Sequence, residues 1–94
     1  MYHLSGAADE DLAEIYAEGL LEHGEQAAWA YLKGLFGTFE LLARFPNMAH
    51  ERTELTPPMR VHTYGAHLVL YRIEADGSVL IVRVRHARED WLDD

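Results

Sequence analysis

The sequence predicts an α+β domain of order β-α-α-β-β-β, with a helical hairpin packed against a small antiparallel sheet. Apolar residues recur at helical spacing through the first half of the chain, from about residue 7 to residue 45. After residue 59 the period changes to two, which is typical of strands. A chain of 94 residues, 49% of them hydrophobic, can bury one core, so we expect a single domain over residues 1–94.

The first half of the chain is predicted to form a short strand and two helices. Residues 2–4 are a candidate strand, and Ser5 is placed to cap a helix over about residues 7–22. His23-Gly24 ends that helix, and a second helix runs from about residue 25 to residue 45, before Pro46. The main apolar stripe of the second helix comprises Ala28, Tyr31, Leu35, Phe39 and Leu42.

The second helix is apolar on more sides than so short a chain can cover. Each glycine in a helix costs about 1 kcal/mol relative to alanine, so Gly34 and Gly37 predict a close approach of the first helix. A further stripe, Trp29, Leu32 and Phe36, points toward what should be solvent. We therefore predict that this stripe belongs to a partner-binding surface.

The last third of the chain is predicted to form three antiparallel strands. Residues 46–59 contain three prolines and show no periodicity, which indicates a loop. Strands are predicted after it, at residues 60–64, 68–74 and 79–86. The helix-facing side is predicted to carry Val69, Tyr71, Ile73, Leu80, Val82 and Val84. The outer face then carries Leu68, Leu70, Arg72, Val79, Ile81, Arg83 and Arg85. This mixture of aliphatic residues and arginine indicates a binding surface.

The net charge of −8 is concentrated in the predicted helices. Residues 1–58 contain ten acidic and three basic residues, whereas residues 59–94 contain six and five. The carboxylates at positions 11, 14, 18 and 22 form one stripe, either a solvated face or a docking surface for a basic partner. The sheet arginines either bind an anionic group or pair with internal acids. The overall charge opposes long-range attraction to nucleic acid.

Composition disfavours several chemistries. Without cysteine there is no disulfide, thiolate metal site or cysteine nucleophile. No glycine-rich phosphate loop is present, and Ser5 is better explained as a cap than as a nucleophile. We therefore expect no cofactor, no metal site and no small-molecule substrate.

The chain has no apolar run of about 18–20 residues and no signal-peptide pattern, which predicts a cytoplasmic protein without a membrane partner.

Residues along nearly the whole chain carry a family resemblance. They include Tyr2-x-Leu4-Ser5-x-x-Ala8-x-x-Asp11-Leu12-x-x-Ile15-Tyr16, then Gly24, Ala27 and Tyr31, Leu35-x-x-x-Phe39-x-x-Leu42-Ala43-x-x-Pro46, Arg60, His67-x-x-x-Tyr71-Arg72-Ile73, and Arg83-Val84-x-His86-x-Arg88-x-Asp90. In order and spacing they resemble ParE-type toxins of bacterial toxin–antitoxin systems, plasmid stabilisation proteins of the RelE/ParE superfamily. Ala49 departs from the glycine that the family usually has after the proline.

The resemblance implies a toxin held inactive by a cognate ParD-like antitoxin in a hetero-oligomeric complex. ParE-type members bind DNA gyrase and trap its cleaved complex, whereas RelE-type members are ribosome-dependent mRNA endonucleases. An endonuclease would use Arg60, Arg83, His86 and Arg88 of this chain. The single lysine and the negative charge favour the non-enzymatic, gyrase-binding alternative, and an inert antitoxin-binding relative is the third.

The predicted antitoxin- or target-binding surface combines the outward stripe of the second helix with the outer face of the sheet. Its residues are Trp29, Leu32, Phe36, Leu68, Leu70, Arg72, Ile81, Arg83 and Arg85.

Overall fold

The computed structural model describes residues 1–88 and contains two helices packed on a five-stranded sheet. The elements are β1 (Tyr2–Leu4), α1 (Gly6–His23), α2 (Glu25–Arg44), a 3-10 turn (Pro46–Met48), β2 (Glu51–Arg52), β3 (Met59–Tyr64), β4 (His67–Ile73) and β5 (Val79–His86). The predicted α+β class is confirmed. The strand β2 was not predicted, because two residues are too few to show a period.

The sheet is mostly antiparallel, and its strand order is β1-β5-β4-β3-β2. The strands β3, β4 and β5 form consecutive antiparallel pairs, as predicted, and β2 adds to the outer edge of β3. At the opposite edge β1 runs parallel to β5 and pairs only with Val79, Leu80 and Ile81. The second half of β5 therefore extends beyond its short neighbour.

The start of α1 is fixed by Ser5, as the sequence predicts. The Ser5 hydroxyl accepts a hydrogen bond from the Ala8 N–H at 2.9 Å, which satisfies one of the free donors at the helix end. The same hydroxyl donates to the Val82 carbonyl at 2.6 Å. One side chain thus caps the helix and joins it to β5.

The core lies between α2, the first half of α1 and the helix-facing side of the sheet. Leu35, Phe39 and Leu42 of α2 are completely buried, in agreement with the predicted stripe. They belong to one cluster with Tyr71 and other residues of β4 and β5. The Tyr71 hydroxyl donates to the Pro46 carbonyl at 2.8 Å and so anchors the chain that leaves α2.

A β-bulge changes which residues of β5 face the helices. Leu70 pairs with Arg83 but Tyr71 pairs with Ile81, so Val82 is the extra residue. Val79 and Ile81 are completely buried in the core, whereas Leu80 and Val82 are only half-buried. The predicted outer-face positions of Val79 and Ile81, and the helix-facing positions of Leu80 and Val82, are wrong. Strict alternation does not hold through a bulge.

Two glycines permit close approaches of the helices. A Cβ atom at Gly19 of α1 would lie 3.1 Å from the Ala28 Cβ atom, so the two helices approach closely at Ala28 and not at Gly34 or Gly37. A Cβ atom at Gly34 would lie 1.7 Å from the Tyr64 hydroxyl oxygen. Gly34 therefore accommodates a side chain of β3, and its predicted contact with α1 is wrong.

None of the helices within residues 1–88 is both long enough and apolar enough to cross a membrane.

The two glycines of α2 should respond oppositely to alanine. Gly34→Ala inserts a methyl group into the space of the Tyr64 ring, and overpacking of this kind costs about 1–3 kcal/mol of unfolding free energy. Gly37 has no atom within 4 Å of its would-be Cβ, so Gly37→Ala should gain up to about 1 kcal/mol from helix propensity. Urea unfolding of both variants measures the difference, and equal effects would contradict the packing described for Gly34.

Candidate protein-binding site

The Asp11 carboxylate lies where α1 meets the second half of β5, on the edge that β1 does not reach. Its side chain accepts a hydrogen bond from the Val84 N–H at 2.9 Å and two from Arg83, Nε at 2.8 Å and Nη2 at 3.0 Å. Asp11 is only 8% exposed. A bidentate carboxylate–guanidinium pair of this kind fixes both side chains in orientation as well as in distance.

On the edge of β5 that β1 does not reach, Asp11 supplies the hydrogen-bond acceptor that a neighbouring strand would otherwise provide. On the β1 side, Val79 donates to the Met1 carbonyl and Ser5 donates to the Ile81 carbonyl. Beyond the bulge at Val82, the Val84 N–H faces Asp11. Without that carboxylate the N–H would be a buried donor lacking an acceptor, which costs about 1–3 kcal/mol. The prediction that Asp11 shares a solvated stripe with Glu14, Glu18 and Glu22 is wrong.

The predicted binding residues on α2 differ in accessibility. Trp29 is 48% exposed, contacts Tyr16 edge-on with ring centroids 6.5 Å apart, and has the Lys33 ammonium 5.9 Å from its ring. Leu32 and Phe36 are half-buried against the core. The stripe expected to face solvent is therefore widely open only at Trp29.

The predicted residues of the sheet are also split between surface and interior. Arg72 is exposed, and its Nε lies 3.3 Å from a Glu74 carboxylate oxygen. Leu68 and Arg85 are half-buried, Leu70 is 3% exposed, and Ile81 is completely buried. The accessible part of the predicted outer surface thus consists of Leu68, Arg72 and Arg85, together with half-buried Leu80 and Val82 brought there by the bulge.

Of the four residues considered for RNA cleavage, Arg83 and His86 line one depression beside α1, whereas Arg60 lies apart from them. Arg60 donates to the Ala49 carbonyl, and Arg83 is held by Asp11. His86 packs edge-on against His67 with ring centroids 5.3 Å apart, and its Nδ1 accepts from the Arg88 N–H at 3.1 Å. The pairing register puts Arg60 and His86 about 13 Å apart along the strands and about 10 Å apart across them.

A groove that the sequence did not reveal lies between the helical hairpin and the ends of β4 and β5. We call it the hairpin groove. It has a volume of about 410 Å³ and is lined mainly by the apolar or aromatic residues Ile15, Gly19, Ala27, Ala28, Tyr31, Ala66, His67 and His86. The exposed residues Glu18, Glu22 and His23 form its rim on α1. Helical periodicity marks these residues as apolar or acidic but does not place them around one groove.

Tyr31 organises the wall of the hairpin groove nearest the sheet. Its hydroxyl lies 2.7 Å from His67 Nδ1 and accepts from the Ala66 N–H at 3.2 Å. Burial raises the pKa of the Tyr31 phenol, the nearby Tyr64 phenol raises it further, and the Ala66 hydrogen bond opposes both effects. Tyr31 therefore stays protonated and able to hydrogen-bond at neutral pH.

The accessible surface of the described residues carries mainly apolar and charged side chains. Among residues 1–88, no group of three or more His, Asp or Glu residues could hold a metal ion. Exposed apolar side chains also occur at the end of α2, at Phe45 and Met48, which the helical stripes did not indicate. Aromatic residues, methionine and arginine are enriched at protein interfaces, and the exposed Trp29, Phe45, Met48 and Arg72 belong to these types.

The fold matches a solved structure described as "Chromosomal ParDE TA system from P. aeruginosa". The TM-score is 0.78, and the match covers 90% of this chain and 92% of that chain at 18% identity. The chain therefore has the fold of a toxin–antitoxin system component.

Sequence relatives define the family. The chain is 33% identical over 89 residues to Toxin ParE1 of Mycobacterium tuberculosis, covering 95% of this chain and 91% of that protein. It is 33% identical over 85 residues to Toxin ParE1 of Caulobacter vibrioides, covering 90% and 86%. The family described as "ParE toxin of type II toxin-antitoxin system, parDE" matches residues 2–91. The chain belongs to the ParE toxin family, which confirms the resemblance seen in the sequence.

Loss of the Asp11 carboxylate should destabilise the protein. Asp11→Ala removes the acceptor of the buried Val84 N–H and the carboxylate that pairs with Arg83, so we expect a loss of about 2–3 kcal/mol in unfolding free energy. Glu14→Ala on the same helix is the control, with an expected change within about 0.5 kcal/mol. Thermal or urea unfolding measures both variants. Similar losses of unfolding free energy in the two would show that the Asp11 carboxylate does not stabilise the packing of α1 on β5.

Proposed function

We propose that this ParE-family chain arrests growth by binding DNA gyrase and trapping its cleaved complex with DNA, and that a ParD-like antitoxin neutralises it. The proposal rests on membership of the ParE toxin family. It assigns no bond-making step to the chain. Its action then depends on the shape and charge of a surface and not on a general acid or base.

The placement of the basic residues supports binding over RNA cleavage. An endonuclease needs donors and a proton-transfer group around one phosphate, within hydrogen-bond reach of the reacting atoms. Arg60 and His86 lie in different parts of the sheet, and the Arg83 guanidinium is oriented by Asp11. The net charge of −8 also opposes approach to ribosomal RNA.

We propose two patches for target or antitoxin binding, Trp29 on α2 and, on the outer face of the sheet, the partly exposed residues Leu68, Arg72 and Arg85. Tryptophan and arginine are the residues most enriched among energetic hot spots of interfaces. The other predicted residues are less accessible, because Leu32 and Phe36 are half-buried, Leu70 and Ile81 are buried, and Arg83 is held in an ion pair with Asp11.

Induction of the chain in a bacterial host, without antitoxin, tests this function. We expect growth arrest with gyrase-dependent DNA breaks while translation continues, and inhibition of supercoiling by purified gyrase. Loss of one interface hot spot typically costs 2 kcal/mol or more, so Trp29→Ala or Arg72→Ala should weaken inhibition by about tenfold or more. Glu40→Ala, exposed on α2, is the matched control and should leave inhibition unchanged.

Other outcomes discriminate the remaining functions. Translation arrest with mRNA cuts at codon positions, abolished by His86→Ala or Arg88→Ala, would replace the gyrase proposal with RelE-type cleavage. Arg83→Ala is less informative because it also removes the ion pair with Asp11. Antitoxin binding without any growth phenotype would identify an inert relative.

A further inference from the structure

The outer face of the sheet, opposite the core, combines accessible apolar surface with arginine. The pairing register puts Leu68 and Arg72 of β4 on this face, with Leu80 and Arg85 of β5 beside them. Both helices pack on the other side, against the core. Leu68 and Leu80 are only half-buried, so apolar surface remains accessible between the two arginines.

The arginines of this face can bind further carboxylates. Arg72 is paired with Glu74, whose carboxylate oxygen lies 3.3 Å from Nε, and 45% of the Arg72 side chain is accessible. An exposed ion pair of this kind contributes at most about 1 kcal/mol. A guanidinium has five N–H donors in a planar fork, so Arg72 can bind a second carboxylate without losing Glu74.

The surfaces on the α1 side are more acidic than the outer face. The depression at the edge of β5 is lined by Arg83 and Arg85 but also by Glu14 and Glu18. The hairpin groove is lined by Glu18 and Glu22, with histidines as its basic side chains. An acidic peptide is therefore attracted more strongly to the outer face than to the α1 side.

The residues that follow Arg88 have a composition complementary to the outer face. They comprise two large apolar side chains between two pairs of acids: Glu89, Asp90, Trp91, Leu92, Asp93 and Asp94. We call residues 89–94 the acidic segment. Its apolar pair matches the leucines of the outer face, and its carboxylates match the arginines on either side of them.

The acidic segment begins close enough to the outer face to reach across it. β5 ends at His86, which lies opposite His67 of β4, and a turn at residues 87–88 follows. Arg72 lies five residues, or about 17 Å, along β4 from His67. Six extended residues span about 20 Å, so the acidic segment can extend from the end of β5 to Arg72.

We propose that the acidic segment binds back onto the outer face of its own chain. Trp91 and Leu92 then cover the apolar surface around Leu68, and the four carboxylates lie within reach of Arg72 and Arg85. The bound segment covers the sheet patch proposed for target binding, so it has to leave before gyrase can bind there. That consequence rests on the proposed function, whereas the docking itself does not.

Two other occupants of the outer face are less favourable. A second copy that packed the same face against itself across a two-fold axis would bring arginines onto arginines. A separate acidic protein loses translational and rotational freedom when it binds. The acidic segment is already attached, and its effective concentration is about millimolar or higher.

Tryptophan fluorescence tests the docking. The chain has two tryptophans, so Trp29→Phe leaves Trp91 as the only one. With a bound-to-free ratio of about ten, Trp91 is protected in about 90% of molecules. We therefore expect blue-shifted emission, and acrylamide quenching about fivefold or more slower than in a free peptide of residues 87–94.

Charge variants in the Trp29→Phe chain locate the binding site of the segment. Arg72→Gln combined with Arg85→Gln should make quenching about threefold or more faster, because it removes positive charge from the outer face. The control combines Lys33→Gln with Arg44→Gln, which removes the same charge from exposed positions of α2 and should change nothing. About 0.5 M salt should speed quenching in the control but hardly in the outer-face variant. Circular dichroism checks that each variant is folded.

The consequence for gyrase is measured in the chain that retains Trp29. Trp91→Ser combined with Leu92→Ser removes the apolar anchors of the segment, so inhibition of supercoiling should strengthen by up to about tenfold. Leu21→Ser is the control, because Leu21 is 89% exposed and lies outside both patches, and it should leave inhibition unchanged.

Several results would overturn the inference. Trp91 quenched as fast in the chain as in the peptide would show that the segment does not dock. Quenching that responds to Ala27→Gln and not to the outer-face variant would place the segment in the hairpin groove, and quenching that depends on protein concentration would indicate exchange between copies. A docked segment whose release leaves inhibition unchanged would remove the competition with gyrase. If no variant binds gyrase, the proposed function fails, and the fluorescence result still decides the docking.

Discussion

The contact of Asp11 with Arg83 and Val84 is the constraint on which the arrangement of this toxin depends. β1 is too short to cover β5, so on that side the second half of β5 has no neighbouring strand within the described part of the chain. The Ser5 hydroxyl and the Asp11 carboxylate of the α1 region bind the main chain of β5 there. An exposed strand edge invites unwanted pairing with other chains, and here a helix covers it.

The contact of Asp11 with Arg83 and Val84 also determines which surfaces remain accessible to partners. It holds α1 over β5, so the helical hairpin opens a groove toward the ends of β4 and β5. It orients Arg83 toward the interior carboxylate and leaves Arg72 as an exposed arginine of the outer face. The molecule therefore offers two chemically different surfaces, one a mainly apolar groove beside α1 and one a sheet face that carries apolar residues and arginines. A toxin that must meet both a target and an antitoxin can use both.

Much of the fold could be predicted, because local patterns govern it. Ser5 and Gly24 cap the two ends of α1 through contacts with residues a few positions away. The spacing of Leu35, Phe39 and Leu42 likewise defines the buried face of α2 within two turns of helix. The turn that joins β4 to β5 at residues 74–78 is similarly local, since the Ser78 N–H and hydroxyl both bind the Asp76 carboxylate. These hydrogen bonds from Ser78 lower the pKa of Asp76. The family resemblance added the function class, through residues dispersed over the whole chain.

The sequence by itself determined the fold class, the family and the uneven charge, because periodicity, capping and spacing can be read along one chain. Only the tertiary structure decided which carboxylate is buried, which β5 residues face the core, and that α1, α2 and the strand ends enclose a groove. Asp11 and Arg83 are 72 residues apart, and one bulge reverses the alternation that predicted Ile81 to face outward. Such contacts depend on the register between distant elements, which local patterns do not specify.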